Sequence, residues 1–600
     1  MCGIVGYVGK RQALGILLDG LKRLEYRGYD SAGVVVQNGH GLNSEKVSGK
    51  VDALRARIGD RPFHGGSGLG HTRWATHGGV NKANAHPHFS CDGRIAVVHN
   101  GIVENYAELR RELKGHRFSS ATDTEVIPHL IEERYERLGG DLLRSVMLTL
   151  KKIRGSFAVG VMTAHQPGLL VAARVNCPLV IGLGKGENYL ASDISALLPH
   201  TRRVVPLEEG EIAEIDPTGM QIFDADLRPR SREPLDVDWS NDRILKAGYP
   251  DFMLKEIHEQ SETMASELRG RAEELRSLRI PREIKRVTIV GCGSSWHAGL
   301  VGKTALEETT HLPVDVGFGS ELRYSDHPFG KETLTIALSQ SGETADTLGA
   351  VRVARKAGSP VLALTNTKGS TLAREADQVL FMRAGVEVGV AATKTYTSQV
   401  LNLLLLSLEL ARRRRTMTRS RYDELFLAAR RIPLQMKGIL ARSGEIKDWA
   451  RSLSRASNFM YLGRHYNLAT AYEGALKMNE IAYLHSEGYG AGEMKHGPLA
   501  LVDKRLACIA IAPQGRVTEK MVSNIQEIRA RRGLVYSIAT KGQDLIGPVS
   551  DRLFEIPRCP EIFSPLLTVV PLQLLAYFVA TELGRNVDQP RNLAKSVTVE

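Results

Sequence analysis

One pattern occurs twice in the second half of this chain and constrains its fold more than any other feature. A strand-like segment ends in glycine and leads through a polar turn into a helical segment, at residues 287–291 and again at 459–463. The offset is 463 − 291 = 172 residues, and the next strand-like segments, 334–338 and 506–511, keep it. Short β-branched strands that alternate with helix-length segments are typical of a parallel sheet covered by helices. The repeat therefore predicts two copies of one parallel-sheet α/β domain.

The first 235 of the 600 residues follow a different pattern. Strand-like segments at 4–8, 32–36 and 95–98 alternate with glycine-rich turns, and the segments 13–24 and 123–137 have helical periodicity. Residues 228–250 contain prolines and mixed charge without a period, which is typical of a linker, and a helix is predicted over 252–278. We therefore predict a multidomain α/β protein with a domain at 1–235, a linker at 236–250, α/β domains at 251–430 and 431–590, and a tail at 591–600.

Composition argues against several classes of protein. With 42% hydrophobic and 24% charged residues, the chain is ordinary for a folded globular protein. The surplus of 79 − 67 = 12 positive charges is small for this length, and the basic run 412–415 lacks aromatic neighbours, so we expect a solvated connection and no nucleic-acid partner. The apolar stretch near 401–410 is shorter than the ~20 residues of a spanning helix. No basic segment precedes the N-terminal apolar run. We expect neither a membrane segment nor export.

The cysteines and histidines do not predict a metal site. Six cysteines without a CxxC pair favour a reducing, cytoplasmic location over a disulfide framework or a cysteine-based zinc site. His86 and His88 flank a proline, and no third ligand stands at ligand spacing from them, so we interpret them as part of a surface turn. No metal and no organic cofactor are predicted.

Cys2 directly follows the initiator methionine. If Met1 is removed, one residue carries both a thiol and a free amine, whose unperturbed pKa of about 7.7–8.0 suits a general base. N-terminal nucleophiles are activated in this way. Most cysteines at this position have no function, so the hypothesis depends on suitable partners elsewhere in the chain.

Such partners follow in the sequence. Arg73 can bind a substrate carboxylate with its planar guanidinium. Asn100 and Gly101 end a strand-like segment, where a side-chain amide and a backbone N–H can form an oxyanion hole. Asp123 begins a predicted helix and can pair with a substrate ammonium; a helix N-cap is the common alternative and does not exclude that role. The residues close to Arg73 in the sequence are Trp74, Thr76 and His77.

Four segments carry a resemblance to a known family: 2–6 (CGIVG), 24–33 (LEYRGYDSAG), 71–78 (HTRWATHG) and 99–101 (HNG). They closely resemble the glutaminase domain of the glutamine–fructose-6-phosphate aminotransferase (isomerizing) family, a class II glutamine amidotransferase domain with the N-terminal-nucleophile (Ntn) αββα fold. The resemblance implies that Cys2 attacks the glutamine amide and releases ammonia. It also implies that Arg73 and Asp123 hold the amino-acid end of glutamine. The remaining implied residues are Asn100 and Gly101 in the oxyanion hole, and Trp74, Thr76 and His77 in the pocket, with Trp74 also gating ammonia.

A second group of residues resembles a sugar-phosphate site. Residues 339–344 (SQSGET) follow a predicted strand and open a helix, an arrangement that suits phosphate, although simple helix capping explains it equally well. The GCG of 291–293 is not a dinucleotide fingerprint, because Trp296 stands where that motif needs glycine. Residues 339–347 resemble the signature of sugar isomerase (SIS) domains. The resemblance implies that fructose 6-phosphate is bound by Ser295, Ser339, Gln340, Ser341, Thr344 and the backbone of Val390.

Acid–base groups stand in the second copy of the repeat. Glu473, Lys477 and Glu480 share one face of a predicted helix, where a surface salt-bridge stripe is the ordinary interpretation. The family match instead implies that Glu480 moves a proton between C1 and C2, that His496 assists ring opening and that Lys477 supports the site. Lys595 resembles the lysine of the family's tail that forms a Schiff base with the open-chain ketose, whereas by itself a tail lysine is expected to be solvated.

The resemblance covers the whole chain. It implies synthesis of D-glucosamine 6-phosphate and L-glutamate from D-fructose 6-phosphate and L-glutamine, the first step of hexosamine biosynthesis, with ammonia passing between the two sites in a homodimer or larger homo-oligomer. Ala594 is implied as a further sugar contact, and Ala392 stands where the family often has serine. Two alternatives stay open. Another class II amidotransferase, such as the one that makes phosphoribosylamine, needs an acidic phosphoribosyl-pyrophosphate loop that is not found after residue 250. A SIS-type regulator that senses sugar phosphate has no need of Glu480 and Lys595.

Overall fold

The computed structural model describes residues 2–236 and 246–598. These residues divide into two compact units, of which the first holds 2–236 with 343–345 and 596–598, and the second holds 246–342 and 346–595. Residues 237–245, most of the predicted linker, lie outside the described residues.

Residues 2–236 fold mainly into β-strands, with helices between them. In chain order the elements are β1 (Gly3–Gly9), α1 (Ala13–Leu24), β2 (Ser31–Asn38), β3 (Gly41–Ser48), α2 (Val51–Ile58), β4 (Ser67–Arg73), β5 (His88–Phe89), β6 (Ile95–Val103), α3 (Tyr106–Glu112), α4 (Val126–Arg137), α5 (Leu142–Leu150), β7 (Gly155–Thr163), β8 (Leu170–Val175), β9 (Val180–Leu183), β10 (Glu187–Ala191), β11 (Arg203–Pro206), β12 (Ile212–Ile215), β13 (Met220–Phe223), β14 (Pro229–Arg230) and β15 (Leu235–Asp236).

These strands form two antiparallel sheets that face each other. Over the described residues the strand orders are β15-β11-β9-β10-β1-β4-β2-β3 and β14-β13-β12-β8-β7-β6-β5. Apolar residues of both sheets, among them Ile4, Leu69 and Val98, share one buried cluster. Helices α1 and α2 pack on the outer face of the first sheet, and α4 and α5 on that of the second. The unit is therefore a four-layer αββα sandwich, which confirms the fold that the resemblance implied.

The second unit alternates strands and helices. Its elements are α6 (Phe252–Leu268), α7 (Arg271–Ser277), β16 (Arg286–Gly291), α8 (Ser294–Thr310), β17 (Val314–Phe318), α9 (Gly319–Leu322), β18 (Thr333–Ser339), α10 (Ala345–Lys356), β19 (Val361–Thr365), α11 (Thr371–Glu375), β20 (Gln378–Phe381), α12 (Lys394–Arg414), α13 (Arg419–Ala429), α14 (Ile432–Leu440), α15 (Ser443–Leu453), β21 (Asn458–Gly463), α16 (Tyr466–Lys477), β22 (His485–Gly490), β23 (Leu506–Ala512), α17 (Thr518–Arg529), β24 (Leu534–Thr540), β25 (Arg552–Ile556) and α18 (Ser564–Glu582).

The two sheets of this unit are parallel and have the same strand order, which confirms the predicted repeat. The orders are β17-β16-β18-β19-β20 and β22-β21-β23-β24-β25, so the strands of each copy lie in the order 2-1-3-4-5. In this topology the chain direction across the sheet reverses between the first and third strands, and ligands bind outside the carboxyl ends of those strands. In the first copy these ends are Gly291 of β16 and Ser339 of β18.

Two predicted helices differ from the observed ones. The segment 252–278 is divided into α6 and α7, because Gly270 between them adopts φ +66, the left-handed conformation that ends a helix. The segment 123–137 becomes helical only at Val126, the first residue of α4. The segment 13–24 is helix α1, as predicted.

Burial corrects two expectations about the surface. His86 and His88 are only 4% and 2% exposed, so they do not lie on a surface turn. The basic run 412–415 ends helix α12, where Arg412 and Arg413 pair with the buried carboxylate of Glu409 at 2.8 and 2.7 Å. This pairing anchors two residues of the run, while Arg412, Arg414 and Arg415 stay exposed, so the expected solvated connection holds in part.

A longer apolar stretch than 401–410 occurs at Glu561–Glu582, which contains α18. Within the described residues it is the one helical stretch long and apolar enough to cross a bilayer, with a mean hydropathy of 1.9. Of its apolar window, 94% is buried inside the protein, and a core helix meets the same criteria. The stretch is therefore weak evidence for a membrane segment.

Candidate active sites

Cys2 lies directly before β1, beside the end of β4. The two strands are antiparallel and pair Gly3 with Thr72, which places the Cys2 thiol at Trp74. Its Sγ accepts the Trp74 N–H at 3.3 Å and lies 3.6 Å from the Trp74 carbonyl oxygen. Burial raises the pKa of the Cys2 thiol, although the Trp74 amide and the charge of Arg73 oppose that shift. The thiol therefore needs a base before it can attack as a thiolate.

Asn100, on β6, points one amide hydrogen toward Cys2. Its Nδ2 donates to the Cys2 carbonyl oxygen at 3.1 Å, and its Oδ1 lies 3.1 Å from Nε2 of His71. The same Nε2 lies 2.9 Å from the His99 carbonyl oxygen. Burial lowers the pKa of His71 to about 3, so the ring is neutral and its single N–H faces the two oxygens. His71 thus fixes the amide so that its donor side faces the nucleophile.

Gly101 occupies a position that only glycine can fill. Its φ is +133, and a Cβ built there would lie 1.9 Å from the Ser156 carbonyl oxygen of the neighbouring strand β7. Close approach of two backbones is a recurrent reason for glycine in a strand. The position beside Asn100 therefore has an unobstructed backbone, as an oxyanion hole requires.

Arg73 ends β4 and is 3% exposed. Its guanidinium donates to the carbonyl oxygens of His77, Gly78 and Gly79 at 2.5, 2.9 and 3.3 Å. These bonds use three of its five N–H groups and fold the following loop around it. Arg73 is thus well placed to order the loop that carries the other predicted glutamine contacts.

The remaining predicted glutamine residues lie around this loop or on the neighbouring sheet. Trp74 packs edge-on against Tyr29 with ring centroids 5.8 Å apart, and His77 packs against Tyr106 at 5.3 Å. Thr76 is exposed. The Asp123 carboxylate is buried and accepts the Val103 N–H of β6 at 2.7 Å. Because Asp123 binds a strand and α4 begins three residues later, the helix-cap alternative is wrong.

Sequence reasoning missed two residues that order this site. Asp30 accepts the Ala75 N–H and, at 3.0 Å, the Ser31 hydroxyl, and burial raises its pKa. It therefore holds the turn after Trp74. His71 orients Asn100 in the same indirect way. Both lie inside the segments that carried the family resemblance, but their partners stand 45 and 29 residues away, so spacing alone does not reveal their roles.

In the second unit, the loops after β16 and β18 lie side by side because those strands pair. Ser339 Oγ accepts the Gly342 N–H at 3.0 Å, and Gly342 has φ +67 with no room for a Cβ beside Ser370. Ser295 is in the first turn of α8, where its Oγ accepts an N–H of Gln399 at 3.0 Å. Gln340 and Ser341 complete the turn, and Thr344 directly precedes α10.

Lys595 is buried and paired with an acid. Its Nζ donates to Glu387 Oε2 at 2.5 Å and to the Gly389 carbonyl oxygen at 2.7 Å, and only 4% of its side chain is exposed. Burial raises the pKa of Glu387, but Lys595 and the hydrogen bonds from Thr395 and Thr393 outweigh it and lower the pKa to about 2. The expectation of a solvated tail lysine is wrong.

The segment before Lys595 is tied to the same loop. Val390 donates its N–H to the Asp588 carbonyl oxygen at 3.0 Å. The Asp588 carboxylate accepts the Phe252 and Met253 N–H groups at the start of α6, at 3.0 and 2.8 Å. Ala594 is half-buried next to Lys595. The end of the chain is therefore held by both backbone and side-chain contacts.

Glu473 and Lys477 are fully buried and the side chain of Glu480 is only 21% exposed, so a surface salt-bridge stripe is also wrong. Lys477 is 0% exposed, and its Nζ reaches Glu480 Oε2 at 2.5 Å, Glu473 Oε1 at 3.3 Å and the Ser294 hydroxyl at 3.2 Å. Helix α16 ends at Lys477, and a single π-helical turn carries Glu480. The second copy of the repeat thus supplies charges to the ligand loop of the first.

The charge of Lys595 also affects the pKa of Glu480. Burial raises the pKa of Glu480, and the positive charges of Lys477 and, more weakly, Lys595 oppose the shift. A half-buried carboxyl group whose pKa is raised and which interacts with ammonium groups suits proton transfer. His496, in contrast, is exposed, and none of the described residues hydrogen-bonds to its ring. The chain alone does not bring His496 to this group.

Two acids near Lys595 were missed. Glu387 stands 208 residues before its partner, a separation that no motif reveals. Glu256 of α6 accepts the Val388 N–H at 2.5 Å and the Gly389 N–H at 3.2 Å. Burial and the nearby charge of Glu387 raise the pKa of Glu256 to about 8. It therefore supports the loop that binds Lys595.

Comparisons with known proteins match both units. The family model for a glutamine amidotransferase domain matches residues 62–220, and that for the SIS domain matches 282–408 and 452–583. A glutamine–fructose-6-phosphate aminotransferase [isomerizing] of Thermus thermophilus is 49% identical over 609 residues, covering 100% of both chains. That of Aquifex aeolicus is 46% identical over 604 residues with the same coverage. This chain belongs to the glutamine–fructose-6-phosphate aminotransferase family.

A solved structure agrees with this membership. The C-terminal domain of glucosamine-fructose-6-phosphate aminotransferase from Francisella tularensis is 34% identical, with a TM-score of 0.54, and the match covers 58% of this chain and 100% of that one. The predicted architecture of an amidotransferase domain followed by two SIS domains is confirmed, and the chain is an aminotransferase of the isomerizing type.

Proposed function

We propose that this chain converts D-fructose 6-phosphate and L-glutamine into D-glucosamine 6-phosphate and L-glutamate. Full-length identity of 49% to a glutamine–fructose-6-phosphate aminotransferase [isomerizing] supports this reaction. The structural observation that supports it most is the burial of Lys595 against Glu387, close enough to Glu480 to affect its pKa. A regulator that only senses sugar phosphate has no use for a buried amine beside a proton-transfer group.

Glutamine hydrolysis is assigned to the first unit. After removal of Met1, the Cys2 amine takes the thiol proton, and Sγ attacks the side-chain amide carbon of glutamine. Asn100 Nδ2 and the Gly101 N–H donate to the oxyanion that forms. Collapse of this intermediate expels ammonia and leaves a thioester, which water hydrolyses to glutamate and free Cys2. Arg73 and Asp123 hold the carboxylate and ammonium of the substrate, in a pocket that Trp74, Thr76 and His77 complete.

Sugar amination is assigned to the second unit. Ser295, the 339–341 turn, Thr344, the Val390 backbone and Ala594 bind fructose 6-phosphate. The Lys595 amine condenses with the C2 carbonyl of the open-chain ketose and releases water. Ammonia then adds to C2 and displaces the lysine, which gives an imine.

Isomerisation completes the reaction. Glu480 removes a proton from C1 and returns one to C2, so that the imine becomes a 2-amino aldose. Lys477 orients Glu480 through the 2.5 Å contact. We assign His496 to ring opening, as in the family. The predicted domain boundaries 1–235, 251–430 and 431–590, a homodimeric or larger assembly and a cytoplasmic location are parts of the same proposal. All six cysteines are free, which is compatible with that location.

The test is to incubate the chain with glutamine and fructose 6-phosphate and to measure amino sugar and glutamate separately. Cys2→Ala should abolish both products. Lys595→Ala should abolish amino sugar and leave glutamine hydrolysis measurable, while Lys504→Ala, at an exposed lysine, should change neither. Amino sugar formed by Lys595→Ala, or Met1 still attached in active protein by mass spectrometry, would contradict the proposal.

A further inference from the structure

Four potential metal ligands meet in the first unit, outside the residues assigned to glutamine hydrolysis. Cys91 lies in the turn between β5 and β6, His116 lies in the segment between α3 and α4, and His129 and Glu132 lie on α4. Each offers one ligand atom, and these four atoms all lie within 4.8 Å of one another. The site therefore draws on three separate segments of the chain.

The distances between these atoms fit a tetrahedral ion. Cys91 Sγ lies 3.3 Å from His116 Nδ1 and 3.5 Å from His129 Nδ1. Glu132 Oε2 lies 3.2 Å from His116 Nδ1 and 3.6 Å from His129 Nδ1. Zinc bonds of about 2.3 Å to sulfur and about 2.0–2.1 Å to nitrogen and oxygen, at tetrahedral angles, separate the ligand atoms by about 3.3–3.6 Å. Three of the six edges of the tetrahedron are thus within this range, and a fourth, between Glu132 Oε2 and His116 Nδ1, is about 0.1 Å shorter.

The far side of each imidazole faces a carboxylate. His116 Nε2 lies 3.5 Å from Glu133 Oε1, and His129 Nε2 lies 3.9 Å from Glu125 Oε1. Zinc-bound histidines usually direct their other ring nitrogen to a carboxylate or carbonyl, which fixes the tautomer and strengthens the ligand. Glu125 is itself held by the backbone and side chains of Ser119 and Ser120. Each imidazole therefore has a carboxylate on its far side, although neither nitrogen is within hydrogen-bond distance of it in this structure.

Charge also fits a divalent ion. A thiolate and a carboxylate with two neutral imidazoles carry two negative charges, which one Zn²⁺ neutralises. Sulfur together with imidazole in tetrahedral geometry favours zinc over magnesium or calcium, which prefer oxygen ligands. We propose that Cys91, His116, His129 and Glu132 bind one zinc ion. This proposal departs from the expectation, based on sequence spacing, that the chain has no metal site.

The zinc has a structural role. Four protein ligands fill a tetrahedral zinc ion and leave no position for a substrate or a reactive water. The ion would clamp the β5–β6 turn and the 113–125 segment onto α4. Strand β6 carries Asn100 and Gly101, and the clamped segment contains Asp123. Metal binding would thereby stabilise the part of the unit on which the glutamine residues are built, without taking part in the chemistry.

The alternative is a hydrogen-bonded cluster without metal. Glu132 also accepts the Cys91 and Asp92 N–H groups at 3.0 and 3.1 Å, so it has a role in the turn even when no ion is bound. The two interpretations differ in metal content, in the spectrum of a cobalt-substituted protein and in the effect of a chelator on stability.

The test uses the full chain expressed in zinc-supplemented medium without a histidine tag. Mass spectrometry of the metals should find about one zinc per chain. Cys91→Ser, at an exposed side chain, and His116→Ala should each reduce that content at least fivefold and lower the Tm, and chelator should lower the Tm of the wild type only. Cys559→Ser and His165→Ala are the matched controls and should keep the zinc. Folding of the variants is checked by their circular dichroism spectra and by a cooperative unfolding transition of the full chain.

Cobalt gives an independent readout. Wild type loaded with Co²⁺ should show a thiolate-to-cobalt charge-transfer band and the d–d bands of a tetrahedral site, and both should be lost or altered in Cys91→Ser. A wild-type chain that binds neither zinc nor cobalt at this stoichiometry would show that the cluster is hydrogen-bonded only. Full zinc content in Cys91→Ser or in His116→Ala would equally overturn the assignment.

Discussion

Asn100→Asp tests the assignment of the oxyanion hole most sharply, because it changes one N–H donor into a charged acceptor of nearly the same shape. The Asn100 amide donates at 3.1 Å to the Cys2 carbonyl oxygen, and its oxygen faces the N–H of neutral His71. An aspartate keeps the His71 contact. It removes the donor that faces the nucleophile and places a negative charge where the oxyanion forms.

The magnitude follows from two effects. Loss of one oxyanion-hole donor costs about 2.7–4 kcal/mol, or 10²–10³-fold in kcat. A carboxylate about 4 Å from the oxyanion adds about 4 kcal/mol of repulsion at an effective dielectric constant of about 20. We therefore expect Asn100→Ala to lose about 10²–10³-fold in kcat, and Asn100→Asp to lose about 10⁵–10⁶-fold because the two effects together amount to about 7–8 kcal/mol. The KM for glutamine should change much less, because the lost interaction exists mainly in the transition state.

The assay is glutamate release from glutamine over a range of glutamine concentrations. Asn105→Asp is the matched control: its amide donates to the Lys152 carbonyl oxygen at 3.0 Å, away from Cys2, and its kcat should stay at the wild-type value. Comparison of the kcat values of Asn100→Ala and Asn100→Asp tests whether the side chain faces the developing charge. If Asn100→Asp is as active as Asn100→Ala or more active, the side chain does not face the developing charge, and the reasoning is refuted.

Two further predictions concern other positions. Gly101→Ala should lower kcat for glutamine hydrolysis at least ~10²-fold, because its Cβ would lie 1.9 Å from the Ser156 carbonyl oxygen and displace the oxyanion hole. The control is Gly168→Ala, which has φ +78 but open space around it and should only lower the Tm. Equal kcat values in both variants would contradict this prediction. Glu256 has a folded pKa of about 8, raised from 4.5, so its contribution to stability is complete below pH 4.5 and is lost as the pH rises through 8. Glu256→Gln cannot ionise and should flatten this fall of Tm with pH, whereas the exposed Glu262→Gln should leave the slope unchanged, and identical slopes for all three proteins would disprove the assignment.

The architecture is predictable from the sequence because its signals are local. The central strands of the second unit are short, largely apolar runs, and offsets of 172 and 173 residues relate β16 to β21 and β18 to β23. The errors at this level are also local in origin. Helical periodicity continues through Gly270, but a single residue with φ +66 is enough to end one helix and begin another.

The state of the charged residues is not predictable, because their partners lie far away along the chain. Lys595 looks like a solvated tail residue until Glu387, 208 residues earlier, is placed against it. Lys477 looks like part of a surface stripe until the Ser294 loop, 183 residues earlier, covers it. The ligands of the proposed zinc site show the same limit, since only His129 and Glu132 have a spacing that places them on one helix face.

The two copies of the repeat agree in the backbone torsions of the residue before the first helix, but they differ in that residue's side chain. The residue before α8 is Gly293 with φ 55 and ψ −127, and the residue before α16 is His465 with φ 58 and ψ −126. A Cβ on Gly293 would meet nothing within 4 Å, so this turn is open to a ligand. His465 adopts a conformation that costs a non-glycine residue about 1–3 kcal/mol, and its ring pairs with Glu308 of α8 at 2.8 Å. At the second switch point the His465 ring therefore forms a contact with α8 of the first copy, whereas the corresponding turn at Gly293 carries no side chain.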